Sequence, residues 1–254
     1  MTLSELAPAA DAIAAADRIV AFTGAGVSAE SGIPTYRGAG GLWRDLRAED
    51  LATMDAFKRD PALVWEWYNE RRQRMRECEP NAAHRALAAL QASIGQRLTL
   101  ITQNIDDLHR RAGSRDPVEL HGNAFRTVCL GCDFAVVDDE AEPRQVIRCP
   151  TCGSLLRPAV VWFGEPLDPG VLDRAYGAAQ GCDALICIGS SLQVQPAAAL
   201  PFEALRRGAV VVEVNTEPTP LTDTIRWGFQ GSAGDIVPRL LAGATAAHGG
   251  GDRA

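Results

Sequence analysis

The chain has 254 residues, 46% of them hydrophobic, with 25 basic against 32 acidic side chains and a net charge of −7. That much apolar material fills a full core, and the length suits one large domain with an insertion or two small domains. The acidic balance supplies no field for nucleic acid or an anionic membrane, and no apolar run nears the roughly 20 residues of a membrane span. The opening Met-Thr-Leu-Ser-Glu-Leu lacks a signal peptide's basic residues, so a soluble, cytoplasmic and monomeric protein is expected, with no membrane or direct nucleic-acid partner.

Taken in order, residues 4–17 carry Leu6 and Ile13 in a helical rhythm and precede the apolar run Ile19-Val-Ala-Phe-Thr, which ends in Gly24-Ala25-Gly26. This reads as a buried strand turning sharply into a helix whose free backbone N–H groups can hold a diphosphate. Gly24, Gly26 and Ala29 fit the spacing G-x-G-x-x-G/A, a common match by itself. Pro34 and the glycines at 32, 38, 40 and 41 then break the helix around Tyr36 and Arg37, as expected of a lid over a bound nucleotide rather than of an ordinary surface loop.

Asp60-Pro61 starts a second helix, with Val64, Tyr68, Arg71 and Met75 on one face. Asn81 to Ile94 reads as another amphipathic helix, Leu98 to Thr102 as a strand, and Val118 to Leu120 as a short strand ending at His121. Past the cysteine pairs, Ala159 to Phe163 is expected to be extended, Ala184 to Gly189 and Ala209 to Asn215 to be buried strands, and Pro196 to Arg207 the helix between them. Strand, helix, strand implies an α/β doubly wound parallel sheet, and residues 244–254 read as a disordered tail.

Two constellations carry chemistry. Cys129-x-x-Cys132 and Cys149-x-x-Cys152, 16 residues apart, match a zinc ribbon, in which four thiolates surround one structural Zn²⁺ and leave no open position for catalysis. Cys78, Cys182 and Cys187 read as small core residues. Among the histidines, His121 ends a strand, where the carboxyl edge of such a sheet lines its ligand crevice and a general base near neutrality is useful. Gln103, Asn104 and Asp106 follow the neighbouring strand; they suit a ribose or carboxamide, and equally a cap on the helix containing Leu108.

Gly24-Ala25-Gly26-Val27-Ser28, Thr102-Gln103-Asn104-Ile105-Asp106, Leu120-His121-Gly122, the cysteine pairs, Gly189-Ser190-Ser191 and Val214-Asn215 together resemble the sirtuin family of NAD-dependent protein deacylases across about residues 9 to 243. The resemblance implies a Rossmann-type large domain (1–35, 81–122, 158–243) with a small domain made of a helical module (36–80) and a zinc ribbon (123–157), substrate and NAD⁺ meeting between them. It implies that His121 is the general base, and that Gly24, Ala25, Gly26, Ser28, Arg37, Gln103, Asn104 and Asp106 serve the phosphate, ribose and nicotinamide side. Gly189, Ser190, Ser191, Asn215, Thr216 and Ala233 would hold the adenosine side. Ser190 stands where many relatives carry threonine, and the hydroxyl survives.

Tyr68-Asn69-Glu70-Arg71 resembles the Tyr-x-x-Arg signature of the branch that removes succinyl, malonyl and glutaryl groups, and Ala52 resembles the small residue that enlarges that branch's acyl pocket. Tyr68 and Arg71 stand three apart on one helix, so a hydroxyl and a guanidinium can converge on one carboxylate; Arg71 also fits a solvated run with Arg72, Arg74 and Arg76. Val161 and Phe163 resemble walls beside the substrate lysine.

The reaction so implied has the acyl oxygen displace nicotinamide from NAD⁺, His121 deprotonate a ribose hydroxyl, and water release lysine and 2′-O-acyl-ADP-ribose. Three alternatives stand beside it: a plain deacetylase, an enzyme that transfers ADP-ribose to protein or hydrolyses NAD⁺, and an NAD-sensing zinc-ribbon binding module. A dehydrogenase is disfavoured by the interrupted helix after Ala29.

Overall fold

The computed structural model describes residues 2–34, 42–43, 46–137 and 148–249, the side chains of 42–49 and 245–249 aside. The chain runs through α1 (Leu3–Ala14), β1 (Ile19–Thr23), the short strands β2 (Leu42–Trp43) and β3 (Leu46–Arg47), then α2 (Ala48–Leu51), α3 (Met54–Arg59), α4 (Pro61–Glu77) and α5 (Ala82–Ile94). There follow β4 (Leu98–Thr102), α6 (Leu108–Arg111), β5 (Val118–Glu119), β6 (Gly122–Cys129), β7 (Ala135–Val137) and β8 (Leu156–Val160). The last part is α7 (Pro169–Gly181), β9 (Ala184–Ile188), α8 (Leu200–Arg206), β10 (Val210–Asn215), β11 (Trp227–Gln230) and α9 (Ala233–Gly249).

Six strands form an all-parallel sheet in the order β11-β10-β9-β1-β4-β5. Alternation divides its buried side chains between two cores. Ile19, Ala21, Leu98, Leu100, Ile186 and Val212 face α1, α5 and α9, while Val20, Phe22, Ile101, Leu185 and Val211 face α7 and α8. From β1 the chain steps to β4 and β5 on one side, and later to β9, β10 and β11 on the other. The order therefore reverses at β1, and the crevice above this switch point is where an open α/β sheet takes ligands.

Across the crevice, α2, α3 and α4 share a third core with the antiparallel sheet β7-β6-β8, through Leu51, Phe57, Trp65, Tyr68, Phe125, Leu156 and Trp162. Asp60 and Asn81 accept hydrogen bonds from first-turn amides of α4 and α5, so both helices begin at side-chain caps. No described helix is long and apolar enough to cross a membrane.

Three expectations change. The extended stretch placed at Ala159 to Phe163 is the strand Leu156–Val160, after which residues 161–165 turn. The last helix runs to Gly249, where a disordered tail was expected from 244, because Ile236, Val237, Leu240, Leu241 and Ala244 give it an apolar face on the first core. On α4 the fully buried arginine is Arg72, 2% exposed, while Arg71 is half-buried. Arg72 donates to the carbonyls of Ala124 (2.5 Å) and Arg126 (3.2 Å) and to Thr127 Oγ1 (3.3 Å), joining α4 to β6.

Candidate active site

The crevice edge is built from backbone. Gly24 N–H donates to Ile188 O (3.0 Å), Gly26 N–H to Gly189 O (2.8 Å), Gln103 N–H to Thr23 O (3.0 Å), and Gly189 N–H to Val214 O (2.9 Å). The carboxyl ends of β4, β1, β9 and β10 are thereby locked side by side. A Cβ on Gly26 would lie 2.7 Å from Gly189 Cα, and one on Gly189, at φ +60°, would lie 2.4 Å from Val27 N. These glycines are set by the close approach of two turns as well as by the turn after β1. That turn is a short 3₁₀ segment, Ala25–Ser31, ended by left-handed Gly32, ahead of the break expected around Tyr36 and Arg37. Arg37, expected in the lid, lies outside the described residues.

Beneath this edge the polar side chains orient one another. Ser28 Oγ donates to Asp106 Oδ2 (2.7 Å) and accepts from Asn104 Nδ2 (3.1 Å), which also reaches Gly24 O (3.2 Å). Asp106 Oδ1 accepts the Leu108 amide (3.0 Å), so the carboxylate that holds Ser28 also binds the first amide of α6, close to the capping role the sequence allowed. Burial pushes the Asp106 pKa up, against the hydrogen bonds from Leu108 and Ser28, which pull it down. Gln103 Nε2 donates to Ser190 Oγ (2.8 Å), and Asn215 Nδ2 to Ser190 O (2.9 Å), carrying the row across to β10.

His84 and His109 belong to the same layer, a role their helical context did not disclose. Their ring centroids lie 4.7 Å apart, tilted by 59°. Thr23 Oγ1 gives its one proton to Thr102 Oγ1 (2.8 Å) and so accepts from His109 Nε2 (2.9 Å). His109 Nδ1 is buried with no hydrogen-bond partner, so a second proton there would have nothing to meet, and burial holds the His109 pKa well below the usual histidine range. His84 Nδ1 accepts the Asn81 amide (3.3 Å), and burial lowers the His84 pKa to about 4.

His121 stands at the mouth of the crevice. Its Nδ1 lies 3.0 Å from Gln103 O; a carbonyl only accepts, so Nδ1 carries the proton and Nε2 presents a lone pair. Burial lowers the His121 pKa, partly opposed by that hydrogen bond, and the ring is neutral at pH 7. Gly122 follows at φ +76°, where a Cβ would collide with Ala159 O, so β6 can leave His121 against β8 only from a glycine.

Three hydrogen bonds bring the expected acyl-side residues to this point. Val161 N–H donates to His121 O (3.0 Å), Phe163 N–H to Ala52 O (2.9 Å), and Trp162 Nε1–H to the Tyr68 hydroxyl (2.9 Å). Ala52 and Tyr68 are buried, whereas Phe163 is 46% exposed. The Arg71 guanidinium carbon lies 4.8 Å over the Trp67 ring. On the far side of β10, Gln230 Nε2 donates to Thr216 O (3.0 Å), Ala233 opens α9, and Ser191 is exposed.

The four expected metal ligands converge. The sulfurs of Cys129, Cys132, Cys149 and Cys152 all lie within 4.8 Å of one another, with Cys129–Cys152 at 3.5 Å and Cys132–Cys149 at 3.7 Å. A tetrahedron with Zn–S near ~2.3 Å needs sulfurs about 3.8 Å apart. The amides of Gly131 and Thr151 point at Cys129 Sγ and Cys149 Sγ, as donors that stabilise thiolates. This all-sulfur set fits a structural zinc.

A parallel sheet with a polar crevice at its switch point, faced by a histidine and a four-cysteine ribbon, defines a dinucleotide-binding α/β protein with an inserted metal module. The Sir2 family model matches residues 24–196, and the chain belongs to that family. It is 49% identical over 243 residues to a protein named NAD-dependent protein deacylase from Thermococcus kodakarensis, covering 93% of this chain and 94% of that one. It is 48% identical over 235 residues to the protein of the same name from Pyrococcus furiosus, covering 90% of this chain and 94% of that one. Among solved structures, a Sir2 homolog–NAD complex superimposes with a TM-score of 0.89 at 45% identity, covering 95% of this chain and 94% of that one. A Sir2 homologue variant with 2′-O-acetyl ADP-ribose superimposes with a TM-score of 0.87 at 44% identity, covering 94% and 96%.

Proposed function

We propose that this chain, an NAD-dependent protein deacylase, removes acidic acyl groups such as succinyl, malonyl and glutaryl from protein lysines as well as acetyl groups, and forms 2′-O-acyl-ADP-ribose. Bound NAD⁺ supplies the ADP-ribosyl acceptor and gives up nicotinamide. Gly24, Ala25, Gly26 and Ser28 would bind its phosphates, Gln103, Asn104 and Asp106 its nicotinamide ribose, and Ser190, Asn215 and Thr216 the adenosine end. His121, neutral and with Nε2 available, would take a proton from a ribose hydroxyl.

The observation that carries the acyl reading is the stitching of the turn 161–165 to His121, Ala52 and Tyr68 by single hydrogen bonds. The Tyr68 phenol thereby joins the wall that the turn closes, and Arg71 follows three residues on along the same helix. Arg71 would bind the distal carboxylate, since Arg offers a planar fork to carboxylates. Nicotinamide release is measured with NAD⁺ and matched acetyl-lysine and succinyl-lysine peptides. Arg71→Met should lower succinyl kcat/KM by about 10- to 100-fold while changing acetyl turnover by less than about threefold. Equal losses on both peptides would overturn the acidic-acyl reading and leave a plain deacetylase.

A further inference from the structure

We propose that His109 is a positioning residue: its Nε2–H starts a one-way hydrogen-bond chain through the Thr23 and Thr102 hydroxyls that fixes residues 103 and 104, and with them the Asn104 side chain and the carbonyl that orients His121. This rests on the reading above, in which Asn104 serves the nicotinamide ribose and His121 is the base. It adds a residue that acts through both without meeting the substrate.

The chain begins inside the sheet. Thr23 and Thr102 are register partners on β1 and β4, so their side chains share a face, and their buried hydroxyls meet at 2.8 Å. A threonine hydroxyl has one proton. Thr23 gives its proton to Thr102, so its oxygen is left to accept from His109 Nε2 at 2.9 Å. His109 must therefore carry its proton on Nε2. The other tautomer would place that proton on Nδ1, which is buried without a hydrogen-bond partner, and a stranded N–H costs more than a stranded lone pair.

The chain ends on the turn that carries the site. Thr102 Oγ1 also accepts the Asn104 amide at 3.0 Å, and the Asn104 side chain goes on to Gly24 O and Ser28 Oγ. Ser28 is held by a second, parallel chain. His84 Nδ1 accepts the Asn81 amide, so His84 Nε2 bears the proton, 3.4 Å from Ser28 Oγ. Asn104 is thus fixed at its backbone through His109 and at its side chain through His84. Between those two anchors, Gln103 N–H donates to Thr23 O and Gln103 O accepts His121 Nδ1–H, each at 3.0 Å. A ring kept only as packing against His84 would not need to present Nε2 to a threonine whose proton is already committed.

The first test needs no variant. Long-range proton–nitrogen NMR of protein labelled with ¹⁵N-histidine, of which the chain has four, should show His109 protonated at Nε2 alone at pH 7, its signals being those lost in His109→Gln. A proton on Nδ1 would overturn the chain. Next, kcat and the KM values for NAD⁺ and an acetyl-lysine peptide are measured by nicotinamide release for His109→Leu, His109→Gln, Thr23→Val and the pair His109→Leu/Thr23→Val. His109→Leu should lower kcat about threefold to tenfold, the size of one hydrogen bond, and raise the NAD⁺ KM, with peptide KM moving less than about twofold. His109→Gln, whose amide N–H extends to where Nε2–H stood, should recover most of that loss. Adding Thr23→Val to His109→Leu should change kcat by less than about a further twofold, since the chain is already broken. Should His109→Leu fail to fold, Thr23→Val is read against Thr23→Ser, which keeps the hydroxyl and should keep the rate. Equal losses in the Leu and Gln variants, or losses that multiply in the pair, would overturn the positioning role and leave His109 as packing. Near-normal turnover by His121→Ala would instead overturn the base reading on which the proposal rests.

Discussion

At the scale of single residues, His121 is prepared for base chemistry by one backbone contact. The Gln103 carbonyl fixes its tautomer, and burial lowers its pKa from the ordinary 6.5. On the proposed reading, in which the neutral His121 ring takes the proton, activity should persist above that lowered pKa and disappear as pH falls through it, so the acid limb of kcat/KM should lie below pH 6.5. His121→Ala should fold and lose turnover by about 10²- to 10⁴-fold, as measured by nicotinamide release; near-normal activity would remove the assignment. His121 was legible in the sequence because an apolar run leads into it, although the strand itself stops at Glu119 and His121 lies in the turn before β6. His84 and His109 were not, because a helical histidine gives no sign of what its ring will meet across the layer. Arg72 was missed for a related reason: in a run of arginines, periodicity does not say which one the packing of Ala124 and Thr127 will draw inward.

At the scale of elements, the parallel strands were readable as continuous apolar runs, since burial on both faces removes the polar positions that would otherwise interrupt them. The strand Leu156–Val160 was displaced in the reading because Trp162 and Phe163 extend the apolar pattern into what folds as a turn, and β11 gave no such run. The ribbon depends on four sulfurs that also border the third core, where Cys149 is buried and Cys129 and Cys132 pack against it. Removing the metal should therefore loosen the wall carrying Trp162 and Tyr68 as well. Dialysis against a chelator, or Cys149→Ser, should lower the melting temperature and reduce turnover on acetyl and succinyl peptides alike to below about a tenth, with metal content read by elemental analysis. Full activity at zero zinc would contradict a structural role.

At the scale of the whole molecule, the buried histidine pair makes stability depend on pH. Unfolded, His84 and His109 take up protons near 6.5; folded, His84 does so only near 4, and burial holds His109 well below 6.5. The unfolded chain binds more protons in that interval, so the contribution is fully present above pH 6.5 and is lost as pH falls toward 4. For His84 the full shift corresponds to roughly 3 kcal/mol. Urea midpoints should fall between pH 7 and pH 5 with an unfolding-linked uptake of about two protons, and a flat profile would show that the rings are charged in the fold.

The place of β1 in the sheet also bears on how the chain is made. Its partners are β4, from Leu98, and β9, from Ala184, so one edge of a wholly buried strand has no neighbour until residue 184 and beyond have been synthesised. Until then Ile19–Thr23 presents an apolar, hydrogen-bonding edge of the kind that invites intermolecular pairing. The nucleotide crevice is thus completed late, and a nascent chain that already holds its helical module and ribbon still carries one uncovered edge on its first strand.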